Sequence, residues 1–322
     1  MMLYGLALLA GFALLAWSAD RFVDGAASLA RLLGISPMVI GMTIVSLGTS
    51  SPEIVVAAIA ASDGSPQLAI GNALGSNIAN IGLVIGVTAM IMPLAVQSQT
   101  IRREFPVLLL VMLLALGLML DGELGRADGL VLLAGLLVLF GWLILSGRRE
   151  RPDILQEEFS DAIPVTDSMR QSVIWLLTGL LVLLLASRLV VWGAVNIAQA
   201  FGVSDLLIGL TIVAIGTSLP ELMASMAGAL KREPDIAIGN VLGSNMVNTL
   251  GVLCMPALIA PGPFDAAALL RDMPIMFGLT LMLMLMAFGR RGQGCISRFD
   301  GFVLLVCFCA YLGLLYAGGS TF

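Results

Sequence analysis

Glu53 and Glu221 are carboxylates set in apolar surroundings, and the residues around them repeat: GTSSPE at 48–53 and GTSLPE at 216–221. An ionised acid within a greasy segment is costly and is usually kept for function, facing a protein interior or a watery cavity. Each follows a proline, Pro52 or Pro220, which has no N–H to give. The carbonyl four residues back, on Gly48 or Gly216, is expected to lose its helical donor. The ring's push on that turn makes the carbonyls of Thr49 and Thr217 available. Bare backbone oxygens at membrane depth survive only where they line a cavity or bind something. The hydroxyls of Ser50 and Ser218 stand between these carbonyls and the acids. A second repeated stretch, GNALGSNIAN at 71–80 and GNVLGSNMVN at 239–248, adds Ser76, Asn77 and Asn80 with Ser244, Asn245 and Asn248. Ser76 and Asn80 are four apart and share a helical face. Gly71, Gly75, Gly239 and Gly243 are expected to let that helix approach a neighbour closely. Two acids, hydroxyls, amides and carbonyls, without His or Cys, make a hard-oxygen site. Such a site suits Ca²⁺, which takes about 6–8 oxygens at roughly 2.3–2.6 Å, or Na⁺-like cations, better than Mg²⁺, which sheds water reluctantly. Two carboxylates neutralise one Ca²⁺ or two monovalent ions.

Membrane-spanning helices must position these residues. Of 322 residues, 59% are hydrophobic and 11% charged, against about 25% charged in soluble domains; the mean hydropathy is +1.03. Ten apolar segments can be drawn, at 2–19, 37–61, 68–93, 104–120, 127–147, 171–200, 206–230, 236–260, 268–289 and 299–317. Most are near the roughly 20 residues that cross a hydrocarbon core. The first and sixth are expected to run on as amphipathic extensions. The first has no basic residue before its apolar core and no small-residue cleavage site, so it reads as a retained helix. With the amino terminus outside, inner loops hold Arg21, Arg31, Arg102, Arg103, Arg148, Arg149, Arg151, Arg170, Lys231, Arg232, Arg290, Arg291 and Arg298. That is 13 of the 16 basic residues, and outer loops keep Arg126, Arg188 and Arg271. The positive-inside rule favours this orientation.

The same pass sets other features aside. The net charge of −5 leaves no nucleic-acid footprint. Cys254, Cys295, Cys307 and Cys309 have no CxxC spacing and read as small apolar side chains. Asp20 and Asp24 have no acidic counterparts in the second half and are expected at a helix boundary, paired or solvated. Asp121, Glu123, Asp128, Asp265, Asp272 and Asp300 read as caps and boundary markers. The mixed-charge stretch 148–170, with Pro152 and Pro164, reads as a cytoplasmic linker without EF-hand spacing.

The paired motifs belong to a longer duplication. Residues 34–53 match 202–221, and 66–80 match 234–248, at a constant offset of 168 with about 24 identities in 53 positions from Gly34 to Gly86. Five helices separate equivalent points, so the second copy enters the membrane from the opposite side. Inverted repeats are typical of secondary transporters, whose sites lie near mid-membrane where the repeats meet. The expected fold is an all-α polytopic membrane protein of ten transmembrane helices. Residues 1–147 form the first five-helix repeat, 148–170 the linker and 171–322 the second repeat.

With GTSSPE and GNALGSNIAN paired against GTSLPE and GNVLGSNMVN, the sequence resembles the Ca²⁺/cation antiporter superfamily. Within it, it is similar to the sodium/calcium exchangers of the short bacterial inner-membrane type, over nearly the whole chain. The resemblance implies a core of helices 2, 3, 7 and 8 and a mobile pair, helices 1 and 6. It implies that Glu53 and Glu221 bind both ions and that the carbonyls of Thr49 and Thr217 complete the Ca²⁺ site. Ser50, Ser76, Ser218 and Ser244, with backbone oxygens of Ser46 and Ala214, would form flanking Na⁺ sites, and Asn80 and Asn248 would line the middle. One departure matters: a well-studied branch has aspartate where Asn248 stands. Only two fixed charges remain, and the usual three-Na⁺ stoichiometry does not carry over unexamined. The large regulatory loop of eukaryotic relatives is missing, so allosteric Ca²⁺ activation is not expected.

The leading expectation is a secondary antiporter that exchanges Ca²⁺ for Na⁺ by alternating access at one shared site. An H⁺/Ca²⁺ antiporter on the same scaffold is the alternative, because burial raises a carboxylate's pKa. A cation channel comes third, since filters usually arise from rings of several subunits. No nucleophile–base pair or zinc ligand set suggests an enzyme. No cofactor is expected beyond the transported ions, and no partner beyond the bilayer: no nucleic acid and no obligate protein. The expected location is a bacterial inner membrane, with the amino terminus outside and the linker cytoplasmic.

Overall fold

A computed structural model describes residues 2–97, 100–147, 168–202, 214–288 and 294–319. Most of the linker, and the start of the seventh apolar segment, lie outside the described residues. In chain order the helices are α1 (Met2–Leu33), α2 (Pro37–Thr49), α3 (Ser51–Ser62) and α4 (Pro66–Ile91). Then come α5 (Phe105–Met119), α6 (Arg126–Gly147) and α7 (Met169–Ala200). The short α8 (Ala214–Thr217) precedes α9 (Leu219–Leu230). The last are α10 (Pro234–Ile259), α11 (Ala268–Ala287) and α12 (Arg298–Gly319). Pro37, Pro66 and Pro234 open their helices, where a missing N–H forfeits no helical bond.

Among the described residues seven helices are long and apolar enough to cross a membrane, and α2 with α3, bent by 42°, makes an eighth. The chain is a membrane protein with several apolar helices. The extension expected of the first segment is continuous helix through Leu33, and Gly34 ends it at φ +62°. The Gly34 amide then meets Arg31 O at 3.2 Å and the Ile35 amide meets Ala30 O at 3.0 Å, a glycine-turned cap.

Two packings organise these helices. The long α1 and α7 lie side by side. A Cβ on Gly25 would fall 2.5 Å from the Leu176 amide nitrogen, and one on Gly179 would fall 2.6 Å from that of Phe22. Backbones this close tolerate no side chain between them. Trp17 meets Trp175 edge-on at 6.4 Å, and the Arg21 guanidinium sits 4.8 Å over Trp175, a cation–π contact. The second packing is central: α10 lies against α2 and α9, and residues 236–254 are all buried.

Short ladders tie the connections together. β1 (Leu94–Val96) pairs antiparallel with β4 (Gly294–Ile296), and β2 (Glu123–Leu124) with β3 (Gly262–Pro263). In the turn between α9 and α10, Lys231 Nζ lies 2.6 Å from Asp20 and 2.7 Å from Asp24 of α1. Arg31 reaches Glu233 at 3.4 Å. Asp20 and Asp24 are thus paired, one of the two roles the sequence left open, but they stand inside the continuous α1 and not at a helix boundary. Burial pulls the Lys231 ammonium down, but the hydrogen bonds it donates to Asp20 and Asp24, with their negative charge, outweigh it and hold the pKa above the ordinary 10.5. The acids expected as caps mostly are: Asp128 accepts the Gly125 amide at 2.7 Å and Asp300 the Ser297 amide at 2.8 Å. Asp272 differs. It is buried, chelated by Arg271 at 2.7 and 3.0 Å, and it accepts the Tyr311 hydroxyl at 3.1 Å.

Candidate cation site

Pro52 and Pro220 stand in the first turns of α3 and α9. The residues before those helices leave helical geometry in the same way, Ser50 at φ −85°, ψ 4° and Ser218 at φ −86°, ψ 2°. The backbone ladder resumes with Ile54 N to Ser50 O at 3.3 Å and Leu222 N to Ser218 O at 3.0 Å. Thr49 and Thr217 are the last residues before the break. The Gly48 and Gly216 carbonyls depart from expectation, because side chains replace their lost donors. Ser51 Oγ donates to Gly48 O at 2.7 Å, and Ser187 Oγ of α7 donates to Gly216 O at 2.9 Å. The two copies trade this hydroxyl. Where the first has Ser51 and Ala19, the second has Leu219 and Ser187 at the 168-residue offset.

Glu53 and Glu221 are each 1% exposed. Ser50 Oγ donates to Glu221 Oε1 at 2.9 Å, which joins the first motif to the acid of the second. Thr49 Oγ1 lies 3.1 Å from Asn240 Oδ1, and Asn80 Nδ2 donates to Asn245 Oδ1 at 3.1 Å. Asn77 Nδ2 donates to Thr249 Oγ1 at 2.8 Å. Within the site, these four contacts between side chains join the two halves. Ser46 is buried, its hydroxyl donates to Met42 O at 2.7 Å, and its carbonyl accepts the Ser50 amide at 2.9 Å. Ser76, Ser218, Ser244, Asn80 and Asn248 are buried, Thr217 is half-buried, and Ala214 begins α8.

After these bonds are made, several buried polar atoms have no hydrogen-bond partner among the described residues: Glu53 Oε2, Glu221 Oε2, Asn77 Oδ1, Asn80 Oδ1, Ser218 Oγ, Ser244 Oγ, and both amide atoms of Asn248. Buried polar groups are nearly always paired, and an orphan costs about 1–3 kcal/mol. Most of these atoms are acceptors, and all eight fall on the motif residues of the two copies; outside the motifs Arg21 Nε and Thr88 Oγ1 are also unpartnered among the described residues. A hard cation satisfies such a set; a neutral apolar ligand does not. Among the described residues no group of three or more His, Cys, Asp or Glu converges, so the fixed charge here rests on the two glutamates.

Two features escaped the sequence reading. Asn80 and Asn248 each open a π-helical turn, at Asn80–Ile85 and Asn248–Val252, a widening common at functional sites. Nothing in the residue types announces it. The other is an amide pair. Asn72 Nδ2 reaches Glu53 O at 3.4 Å and Asn240 Nδ2 reaches Glu221 O at 3.2 Å. Both stand in a GN pair at the same offset, and that repetition was the available signal. The glycines of the second motif also divide. A Cβ on Gly243 would lie 2.5 Å from Met42 O, and one on Gly239 would lie 2.6 Å from Met38 O. At Gly71 and Gly75 it meets nothing within 4 Å among the described residues. The close approach expected of all four holds for one copy.

The model of the family described as "Sodium/calcium exchanger protein" matches residues 3–145 and 171–317. The chain belongs to the sodium/calcium exchanger family. The antiporter candidate CaxA of Alkalimonas amylolytica is 51% identical over 96% of this chain and 97% of its own length. Inner membrane protein YrbG of Escherichia coli K12 is 41% identical over 96% of this chain and 95% of its own. The solved structure of the sodium-calcium exchanger NCX_Mj, soaked without Na⁺ and Ca²⁺, superposes with a TM-score of 0.83. It is 33% identical, over 97% of this exchanger-family chain and 99% of that one.

Proposed function

We propose that this chain exchanges Ca²⁺ for Na⁺ by alternating access at the Glu53–Glu221 site. The observation that carries the reading is the pair of buried carboxylates, one from each motif copy, each keeping an unpartnered oxygen within a shell of neutral hydroxyl, amide and carbonyl oxygens. Family membership supports cation/Ca²⁺ antiport. Glu53 and Glu221 bind either ion. The carbonyls of Thr49 and Thr217 complete the Ca²⁺ shell, Ser50, Ser76, Ser218 and Ser244 with the backbone oxygens of Ser46 and Ala214 hold Na⁺, and Asn80 and Asn248 lie between. Coupling follows because one site cannot hold both cargoes.

The scaffold of this reading is ten spanning helices in two inverted repeats, 1–147 and 171–322, with the 148–170 linker and most basic loops on the cytoplasmic side of a bacterial inner membrane. Element lengths support the duplication: Pro66–Ala79 and Pro234–Val247 are both 14 residues, and α3 and α9 are both 12. The contacts of β1 with β4, of β2 with β3, and of Lys231 with α1 each join loops or ends that the basic residues assign to one side.

A second reading is H⁺/Ca²⁺ exchange, favoured by the same two acids and by Asn248, which adds no third charge. Proteoliposomes holding the purified chain decide between them. A Na⁺ gradient at constant pH is expected to drive ⁴⁵Ca²⁺ uptake. Uptake that ignores Na⁺ and follows a pH jump in Na⁺-free buffer replaces Na⁺ by H⁺, and uptake that ignores both gradients removes the antiport reading.

A further inference from the structure

Asn240 is fully buried, and two of the three hydrogen bonds its side chain makes go to residues of the site, Glu221 and Thr49, with the third to Ser225. Nδ2 donates to Glu221 O at 3.2 Å and to Ser225 Oγ at 3.0 Å; Oδ1 lies 3.1 Å from Thr49 Oγ1. The orientation of the amide is decided by chemistry. A backbone carbonyl can only accept, so the NH₂ must face Glu221, and the oxygen is left to face Thr49, whose hydroxyl donates to it. One planar side chain thereby spans the two half-sites. It grips the peptide of one acid in α9 and the last residue of α2 before its break.

The backbone allows this reach. A Cβ on Gly41 would fall 2.9 Å from Ile236 O and 3.2 Å from the Asn240 amide nitrogen, so α2 and α10 touch main chain to main chain beside Asn240. Asn72 is the counterpart in the other copy, with a single contact to Glu53 O at 3.4 Å, and it is half-buried. Ala57 stands where Ser225 would be its second acceptor.

We propose that Asn240 is a positioning residue for cation binding: it sets the distance between the Thr49 turn and Glu221, and Asn72 does the weaker equivalent for Glu53. This rests on the Glu53–Glu221 cluster being the cation site. Asn240 touches no ion; it acts through Thr49 and Glu221, whose ligand oxygens must stand at a fixed separation for one small cation to satisfy both.

The test is ⁴⁵Ca²⁺ uptake by the full chain in liposomes, under whichever gradient drives the wild type, read as KM and maximal rate. Asn240→Ala is expected to raise KM for Ca²⁺ about tenfold, while the maximal rate per folded molecule changes by less than about threefold. Thr49→Val, which removes the hydroxyl and keeps the shape, is expected to raise KM by roughly three- to tenfold. The double variant should be no worse than Asn240→Ala alone, because both changes cut one connection. Asn72→Ala should shift KM only about twofold. Ser225→Ala and Thr49→Val carry the test if Asn240→Ala does not fold. A purely structural asparagine would lower the yield of folded protein and leave KM unmoved, and that result overturns the proposal, as does strict additivity of Thr49→Val with Asn240→Ala. The outcomes separate from those of the site itself. If Glu53→Gln and Glu221→Gln abolish uptake while the Asn240 and Thr49 variants keep wild-type KM, only the positioning role falls. If the glutamine variants transport normally, the site reading falls with it.

Discussion

Residues 71–80 and 239–248 share seven of ten amino acids, yet they occupy unlike environments. Every residue from 239 to 248 is buried, whereas Gly71 is exposed and Asn72 and Gly75 are half-buried. Gly243 presses on the backbone of α2; Gly75 meets nothing among the described residues. Asn240 makes three side-chain bonds where Asn72 makes one. Near-identical sequence in two settings means that the difference belongs to the conformation and not to the chemistry. In the proposed inverted arrangement the buried copy lies toward the face that carries Lys231 and Arg31, and the looser copy lies toward the other. The second copy is the more tightly packed of the two.

The largest effect should erase the comparison. Glu53→Gln and Glu221→Gln remove one charge each, and an amide cannot replace it, so ⁴⁵Ca²⁺ uptake is expected to fall by about a hundredfold or more in both, in line with the roughly 3–5 kcal/mol cost of breaking a buried charged pairing. A large difference between the two variants would make the acids unequal and break their pairing as one site.

Gly243→Ala against Gly75→Ala sharpens it. The first places a methyl against Met42 O and should destabilise by about 1–3 kcal/mol. The second meets open space and should lie within about 0.5 kcal/mol of wild type. Thermal unfolding in detergent measures both. Equal losses would mean that the asymmetry does not exist in solution.

The turns after α3 and α9 offer a smaller contrast. Gly64 and Arg232 occupy equivalent left-handed positions, at φ +79° and +61°. Arginine there carries a penalty that glycine avoids, so Arg232→Gly is expected to stabilise by about 1 kcal/mol. A lower melting temperature would instead credit the arginine side chain with a contact worth more than the strain. Smallest is Lys231→Met, which removes the clamp on Asp20 and Asp24 and, at this half-exposed site, should cost about 0.2–1 kcal/mol. Because the Lys231 pKa is raised, the ammonium's share of the clamp is undiminished from neutral pH up to 10.5 and is lost only as pH climbs through the raised value. Stability that drops between pH 6 and 9 in the wild type, but not in Lys231→Met, would contradict that assignment.

The acids, their prolines and the repeat were legible in the sequence because each violates what a lipid-facing helix tolerates, and each does so twice. Asp20 and Asp24 were legible as standing outside the cation site because they lack acidic mates at the 168-residue offset, but the choice between pairing and solvation was not. Asn72 and Asn240 were passed over since an amide beside glycine is unremarkable until its carbonyl partner is located. The widened turns at Asn80 and Asn248 depend on how α4 and α10 seat against their neighbours, and no local residue type encodes that. Gly71 and Gly75 misled for the same reason: a glycine states that a backbone can come close, never that it has. The buried Asp272 resembled a helix-end cap because its tyrosine partner lies 39 residues away.

The traded hydroxyl has a mechanical meaning. In the first copy Ser51 caps Gly48 from within its own motif, so that cap travels with the motif. In the second, Ser187 reaches across from α7 to Gly216. Any slide of α7 along α8 must pull that hydroxyl off its carbonyl and later let it drop back, so the bond acts as a detent, a shallow catch of about 1 kcal/mol. A catch of that depth marks a resting place without forbidding departure from it. Among the described residues it is found on α7 and not on α1, so if the proposed exchange moves these two long helices, they are not equally free to start.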